Sequence, residues 1–289
     1  MNKLNIRKIL ATARTEYIKW ICNARMILLV VMLLFIYSFV IEPLQAHAIE
    51  MNSPINVLEP FIATVNSEVL VIIVPAIFLA LFSDFPRTDG TTLFFLQRIG
   101  RINWIFGQIL FAILSIFTYI GVIFIGTVLP VITSSFSANG WSLVVTKYAT
   151  IYPERAQSFA SLLIKENIYN QVSPWYAASI GYGLMMLYLL VIALIMLVFS
   201  CLKKKIFGIL TTGCIIAFGG TFCLVKIPMM WFFPMAHTSI WLHFTQYFRK
   251  PIMPMWISYT YFVCTIVILI IISCIAMKST NFDSVQEID

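Results

Sequence analysis

The side chains best suited to chemistry are two histidines, His237 and His243, and their spacing decides whether they act together. Acid–base or zinc chemistry needs such rings on one face. Six residues along a single helix leave them about 120° apart, so the pair is not expected to share a face. His47 lies far off in the chain, no HExxH is present, and no acid separates the two histidines, so a zinc protease would lack its ligands and base. We therefore assign no catalytic and no metal-binding residues and read the histidines as membrane-interface side chains. The alternative is an intramembrane enzyme pairing His237 or His243 with Glu68 or Arg249. The chain also lacks GxxxxGK[ST] and so has no P-loop for nucleotide phosphates. Its six cysteines (22, 201, 214, 223, 264 and 274) form no CxxC pattern and read as small apolar packing residues.

The elements that would position these groups are set by composition. The chain has 289 residues, 61% hydrophobic and 11% charged, with a mean hydropathy of +0.93. Soluble domains carry roughly 25% charge, so this is an integral membrane protein. Its apolar residues fall in blocks long enough for helices to cross a layer of roughly 30 Å, without the alternation of a β-barrel. The expected fold is an all-α polytopic membrane protein with six transmembrane helices at 26–41, 65–82, 105–129, 176–199, 206–225 and 257–277. Residues 1–289 form a single transmembrane domain, with no internal repeat and no separate soluble part. Polar groups within the spans are mainly Ser, Thr and Tyr, with Glu68 and Gln108 near span ends, which is sparse for an ion path.

Of the 19 Lys and Arg residues, thirteen fall on the side that holds both termini: 3, 7, 8, 14, 19, 25, 87, 98, 101, 203, 204, 205 and 278. Six (147, 155, 165, 226, 249 and 250) fall opposite. The positive-inside rule makes both termini cytoplasmic in a multi-pass plasma-membrane protein. The net charge of +7 is then an orientation signal, and no nucleic-acid motif accompanies it. Before the first span, Ile6, Leu10, Ala13, Tyr17 and Ile21 form an apolar helical stripe flanked by Arg7, Arg14 and Arg25. This elbow helix (1–25) is expected to lie against inner-leaflet lipid headgroups; a soluble partner-binding helix is the alternative. The outer loops are 42–64, a short excursion; 130–175, with a helix from Pro153 carrying Phe159, Leu162 and Leu163 on one face; and 226–256. The last is rich in proline and aromatics, including Phe233, Trp241 and Phe244 beside the two histidines. It reads as a re-entrant or surface-hugging pair of short helices between spans five and six.

One inner segment, SDFPRTDGTTLFFLQRIGR at 83–101, interrupts the apolar pattern. Thr88 or Asp89 can cap a helix, 91–99 can form about two turns, and Gly100 can end it. With Leu93, Phe94, Phe95 and Leu96 between charged flanks, it suits docking into a groove on a cytoplasmic partner.

These features resemble the permease subunits of ABC-2 type ABC transporters, bacterial exporter proteins with an amphipathic N-terminal helix and six spans. In that family the loop between spans two and three carries an acid, then GT, then a short helix ending in a basic residue. Here Asp84, Arg87, Asp89, Gly90, Thr91, Leu93, Phe94, Phe95, Arg98 and Arg101 match that ATPase-coupling segment in loop 83–104. Gln108 stands where relatives often have Lys, and loop 130–175 is longer than usual. The resemblance implies no cofactor in this chain, with ATP and Mg held by two partner cytoplasmic ATPase subunits. It also implies a second permease subunit, the same or different, and a tail (278–289) in the cytoplasm. Phe233, His237, Trp241, His243 and Phe244 would lie near the outer gate. Few buried charges favour an apolar or amphipathic cargo: peptide, lipid or drug. Peptide immunity is a narrower form of this reading, and a non-transporting scaffold or sensor is the remaining alternative.

Overall fold

The structure, a computed structural model, describes residues 4–87, 96, 98–247 and 251–279. In chain order its helices are α1 (Ile6–Ile21), α2 (Ala24–Glu50), α3 (Glu59–Asn66), α4 (Leu70–Leu81), α5 (Arg101–Val131), α6 (Leu143–Ile151) and α7 (Glu166–Tyr169). They continue as α8 (Pro174–Cys201), α9 (Lys205–Val225), α10 (Pro234–Thr238), α11 (Ile240–His243) and α12 (Met255–Ser279). Two-residue strands β1 (Ile55–Asn56) and β2 (Ser135–Phe136) pair in parallel. Five helices, α2, α5, α8, α9 and α12, are long and apolar enough to cross a membrane. The chain is a helical membrane protein.

The span expected at 65–82 is instead two helices, α3 and α4, bent by 78°. Ser67 is extended, with ψ 140°, and the Asn66 side-chain amide donates back to the Ile62 carbonyl at 3.0 Å. Farther on, Pro75 lies inside α4 and supplies no N–H for the preceding turn. Tyr119 of α5 reaches this stretch, donating to the Val74 carbonyl at 2.8 Å and stacking near Phe78. The first span is longer than the expected 26–41. It passes through a π turn at Tyr37–Ile41 and stays helical to Glu50, so the start of loop 42–64 is helix. Pro43 in the next turn has no N–H to donate, and the wider turn before it accommodates that gap.

Helix α8 is apolar all round and forms the central post: 72% of its most apolar window is buried, against 22% for α12. A helix with no polar face belongs inside. Around it α9, α12 and α2 each leave one apolar face outward, as lipid-facing helices do. Two glycines permit close crossings. A Cβ on Gly181 of α8 would come within 2.8 Å of Val65, and one on Gly107 of α5 within 2.6 Å of the Thr12 Cβ in α1.

At the end of the bundle away from the N-terminus, the 130–175 region packs on α2 and α3. The buried Glu59 carboxylate accepts from the Asn56 N–H (3.0 Å), the Ser142 N–H (2.7 Å) and the Ser142 hydroxyl (2.9 Å). Beside it Arg155 grips Glu50, and His47 stacks on Tyr148 with centroids 3.6 Å apart. The continuous helix expected from Pro153 does not form. After a short 3-10 turn at Pro153–Arg155 the chain turns until α7. The Ser161 hydroxyl bonds the Arg155 carbonyl at 3.0 Å and lies 2.9 Å from the Ser158 hydroxyl. Such local bonds compete with helix. Phe159 and Leu162 are left exposed while Leu163 is buried, so the three share no face.

Gly107→Ala is expected to lower stability by about 1–3 kcal/mol through overpacking against Thr12, read as a lower thermal midpoint in detergent. Gly213→Ala, whose Cβ meets nothing within 4 Å, should leave the midpoint unchanged or raised. Equal effects of the two would contradict this α1–α5 crossing.

Candidate functional site

At the N-terminal end, α1 packs along the first half of α5. The Asn5 N–H donates to Asn103 Oδ1 at 2.9 Å, and the Tyr17 hydroxyl meets Thr118 at 2.8 Å. The buried face is Thr12, Ala13 and Trp20. This corrects the expected stripe, because Ala13 faces α5 and only part of that stripe is free. Leu10 and Ile21 stay exposed with Ile6, as do Arg7 and Arg14, while Tyr17 is half-buried.

Within the expected coupling segment, Asp89, Gly90, Thr91, Leu93, Phe94 and Phe95 lie outside the described residues, but both flanks are described. Arg25 Nη1 lies 2.6 Å from the Ser83 hydroxyl and 2.6 Å from Asp84, and Lys205 Nζ is 4.0 Å from Asp84. The turn after α4 is thereby tied to the starts of α2 and α9. On the other flank, Lys8 of α1 donates to the Arg98 carbonyl at 3.0 Å. Arg98 and Arg101 are exposed, Arg87 is half-buried, and Leu96 and Ile99 are buried. Gly100, with φ 89°, provides the break before α5 that a residue with a Cβ would adopt only under strain. Trp20, Phe82, Phe85 and Phe111 pack ring on ring beneath this end.

At the opposite end the α3–α4 break meets α10 and α11. Asn66 Oδ1 accepts the Ile240 N–H at 3.0 Å. Beside the break Glu68 pairs with Lys165, whose ammonium lies 3.5 Å over the Trp241 ring. Burial pulls the Lys165 pKa below its usual value while Glu68 pulls it up. Asn167 donates to the Trp241 (3.2 Å) and Phe244 (2.8 Å) carbonyls. The 130–175 region therefore clasps the short helices from outside. Phe233 packs edge-on against Phe222 of α9, and Phe244 is half-buried.

The two histidines depart from the sequence expectation. They are buried, and they do meet, because Ser239 is extended between α10 and α11 and the six-residue spacing does not run along one helix. His237 Nδ1 is 2.9 Å from the Ser258 hydroxyl of α12, and His243 Nε2 is 3.4 Å from it. Burial lowers both pKa values, that of His237 to about 4. Glu68 is engaged with Lys165, and Arg249 lies outside the described residues. Among the described residues no three His, Cys, Asp or Glu side chains gather as metal ligands, and the six cysteines form no disulfide. Asn66, Lys165, Asn167 and Ser258 were missed from sequence. The available signal was the polar run Asn66-Ser67-Glu68 between apolar stretches.

Compared with known proteins, the chain matches no family model, no curated protein and no solved structure.

Asn66→Ala should leave the Ile240 N–H buried without its acceptor, a loss of about 1–3 kcal/mol. Amide exchange in a peptide covering 234–243 should accelerate while α8 peptides keep their protection. Unchanged exchange at 234–243 would show that Asn66 does not hold these helices.

Proposed function

We propose that this chain is the transmembrane subunit of an ATP-driven exporter of the ABC-2 kind, moving an apolar or amphipathic molecule across the plasma membrane. The observation that carries the reading is the bracing of segment 83–101. Arg25, Asp84 and Lys205 tie one flank to α2 and α9, and Lys8 with Asn5 ties the other to α1. A push on the residues between these flanks is delivered to five helices together, to α2 and α9 with α4 on one side and to α1 with α5 on the other. With no P-loop in the sequence, the push comes from a separate ATPase pair that holds ATP and Mg. Closure of that pair on ATP drives the segment 89–99, with Leu93, Phe94 and Phe95 as apolar anchors in its cleft.

On this reading the bent pair α3–α4 completes six spans with both termini in the cytoplasm, as the lysine and arginine count favours. Helices α10 and α11 form a re-entrant turn at the outer end. A second permease subunit covers part of the outward apolar faces, and cargo passes between the two. The spans carry few ionised groups, which suits a peptide, lipid or drug better than an ion.

Replacing Leu93, Phe94 and Phe95 together by Asn tests this. Affinity purification of the unaltered chain from its native membrane should bring down an ATPase containing GxxxxGK[ST], identified by mass spectrometry. The triple variant, with an unchanged thermal midpoint, should come down without it. Retained pairing would remove the docking role, and absence of any ATPase from the unaltered chain would remove the transporter reading.

A further inference from the structure

The hydrogen bonds around His237 and His243 leave one lone pair facing the wrong partners. His237 Nε2 lies 2.9 Å from the Trp231 carbonyl, which only accepts, so Nε2 carries a proton. In the neutral ring Nδ1 is then an acceptor, and the Ser258 hydroxyl 2.9 Å away donates to it. His243 Nδ1 faces the Met253 carbonyl at 2.9 Å and is likewise the protonated nitrogen. Its bare Nε2 is left 3.4 Å from the Ser258 oxygen, whose hydrogen is already used, and 3.4 Å from the His237 carbonyl. A lone pair thus faces two oxygens. One proton added at Nε2 makes both contacts attractive and completes the chain His243 N–H to Ser258 O–H to His237 Nδ1.

We propose that His243 Nε2, the Ser258 hydroxyl and the His237 carbonyl form a single-proton site, between the short helices α10 and α11 and the start of α12, that is occupied in acid. Solvent supplies the proton, which binds the Nε2 lone pair, and no bond breaks. A second proton is opposed by the first, since the charge of His243 acts against charging His237. Among the described residues the walls supply no counter-charge. Trp231 lies with its centroid 5.2 Å from His243, Tyr261 stacks on His237 at 4.1 Å, and Phe262 stands edge-on to His237. Of the described ions, Lys165 and Glu68 neutralise each other and Lys226 stands 5.7 Å from Trp241; Arg249 and Lys250 lie outside the described residues.

The sign follows from burial, which holds both rings below the ordinary histidine value of 6.5. The unfolded chain then binds protons more readily than the folded one. Stability is undiminished above about pH 6.5 and declines as pH falls toward the folded pKa values. The site holds whether or not the chain is a transporter subunit.

The test is Trp231 emission of the full chain in phosphatidylcholine nanodiscs from pH 7.5 to 4.5, with the signal of the Trp231→Phe chain subtracted. A protonated imidazole quenches a neighbouring indole. We expect one quenching step with its midpoint below 6.5, absent in His243→Gln and present in His237→Gln. Ser258→Ala should lower the midpoint by about one pH unit, the worth of one hydrogen bond to a charged group. No step in the unaltered chain, a step that survives in His243→Gln, or an unmoved midpoint in Ser258→Ala would each overturn the site.

Discussion

Backbone groups in hydrocarbon have no water to bond, and each one left unpaired costs several kcal/mol. Everything irregular in this fold answers to that constraint. Where the helix stops at Ser67, the Asn66 side chain takes the Ile62 carbonyl on one side and the Ile240 N–H on the other. Around α10 and α11, carbonyls left free by broken helix are taken by side chains from other elements. His237 takes that of Trp231, Tyr261 that of Phe232, and Asn167 those of Trp241 and Phe244. The bend and the short helices are therefore one structure, since each supplies polar partners that the other lacks.

The two ends of the bundle differ in what holds them. Arg25 and Asp84 keep 41% and 45% of their side-chain surface exposed, and pairs of this kind contribute about 0–1 kcal/mol. Their geometry registers the 83–101 segment without fixing it strongly. At the other end the bonds are buried, and losing one strands a desolvated group at about 1–3 kcal/mol. Helix α5 lies between the two ends and is incompletely satisfied itself. Gln108 and Ser115 are buried with no hydrogen-bond partner among the described residues, whereas Tyr119 one turn beyond is bonded.

What could be read from the sequence follows from which forces are local. Long apolar blocks declare themselves, and 105–129, 176–199, 206–225 and 257–277 correspond to α5, α8, α9 and α12 with ends shifted by at most four residues. Helix α1 was also legible, but its rotation was not. The Ile6–Ile21 stripe is the most hydrophobic arc, yet α1 buries Thr12 because Gly107 lets the α5 backbone approach there. A glycine seventeen positions past Gly90 carries no sign of its partner in a single sequence.

The candidate sites were harder because side-chain capture decides them. The angle of about 120° between His237 and His243 holds only for an unbroken helix, whereas at Ser239 the chain is extended and a distant Asn66 accepts the next N–H. Ser258 appeared as an ordinary small residue in an apolar span, and only the folded chain places it between two imidazoles. Pro153 marked a helical turn correctly, but Ser158 and Ser161 diverted the chain afterward. In each case the periodicity was real and a polar side chain redirected the backbone. In a membrane protein, where an unpaired carbonyl is so costly, a polar side chain of this kind marks a break only where it pairs with the interrupted backbone, as Asn66 does, whereas Ser115 and Ser258 lie within unbroken helices.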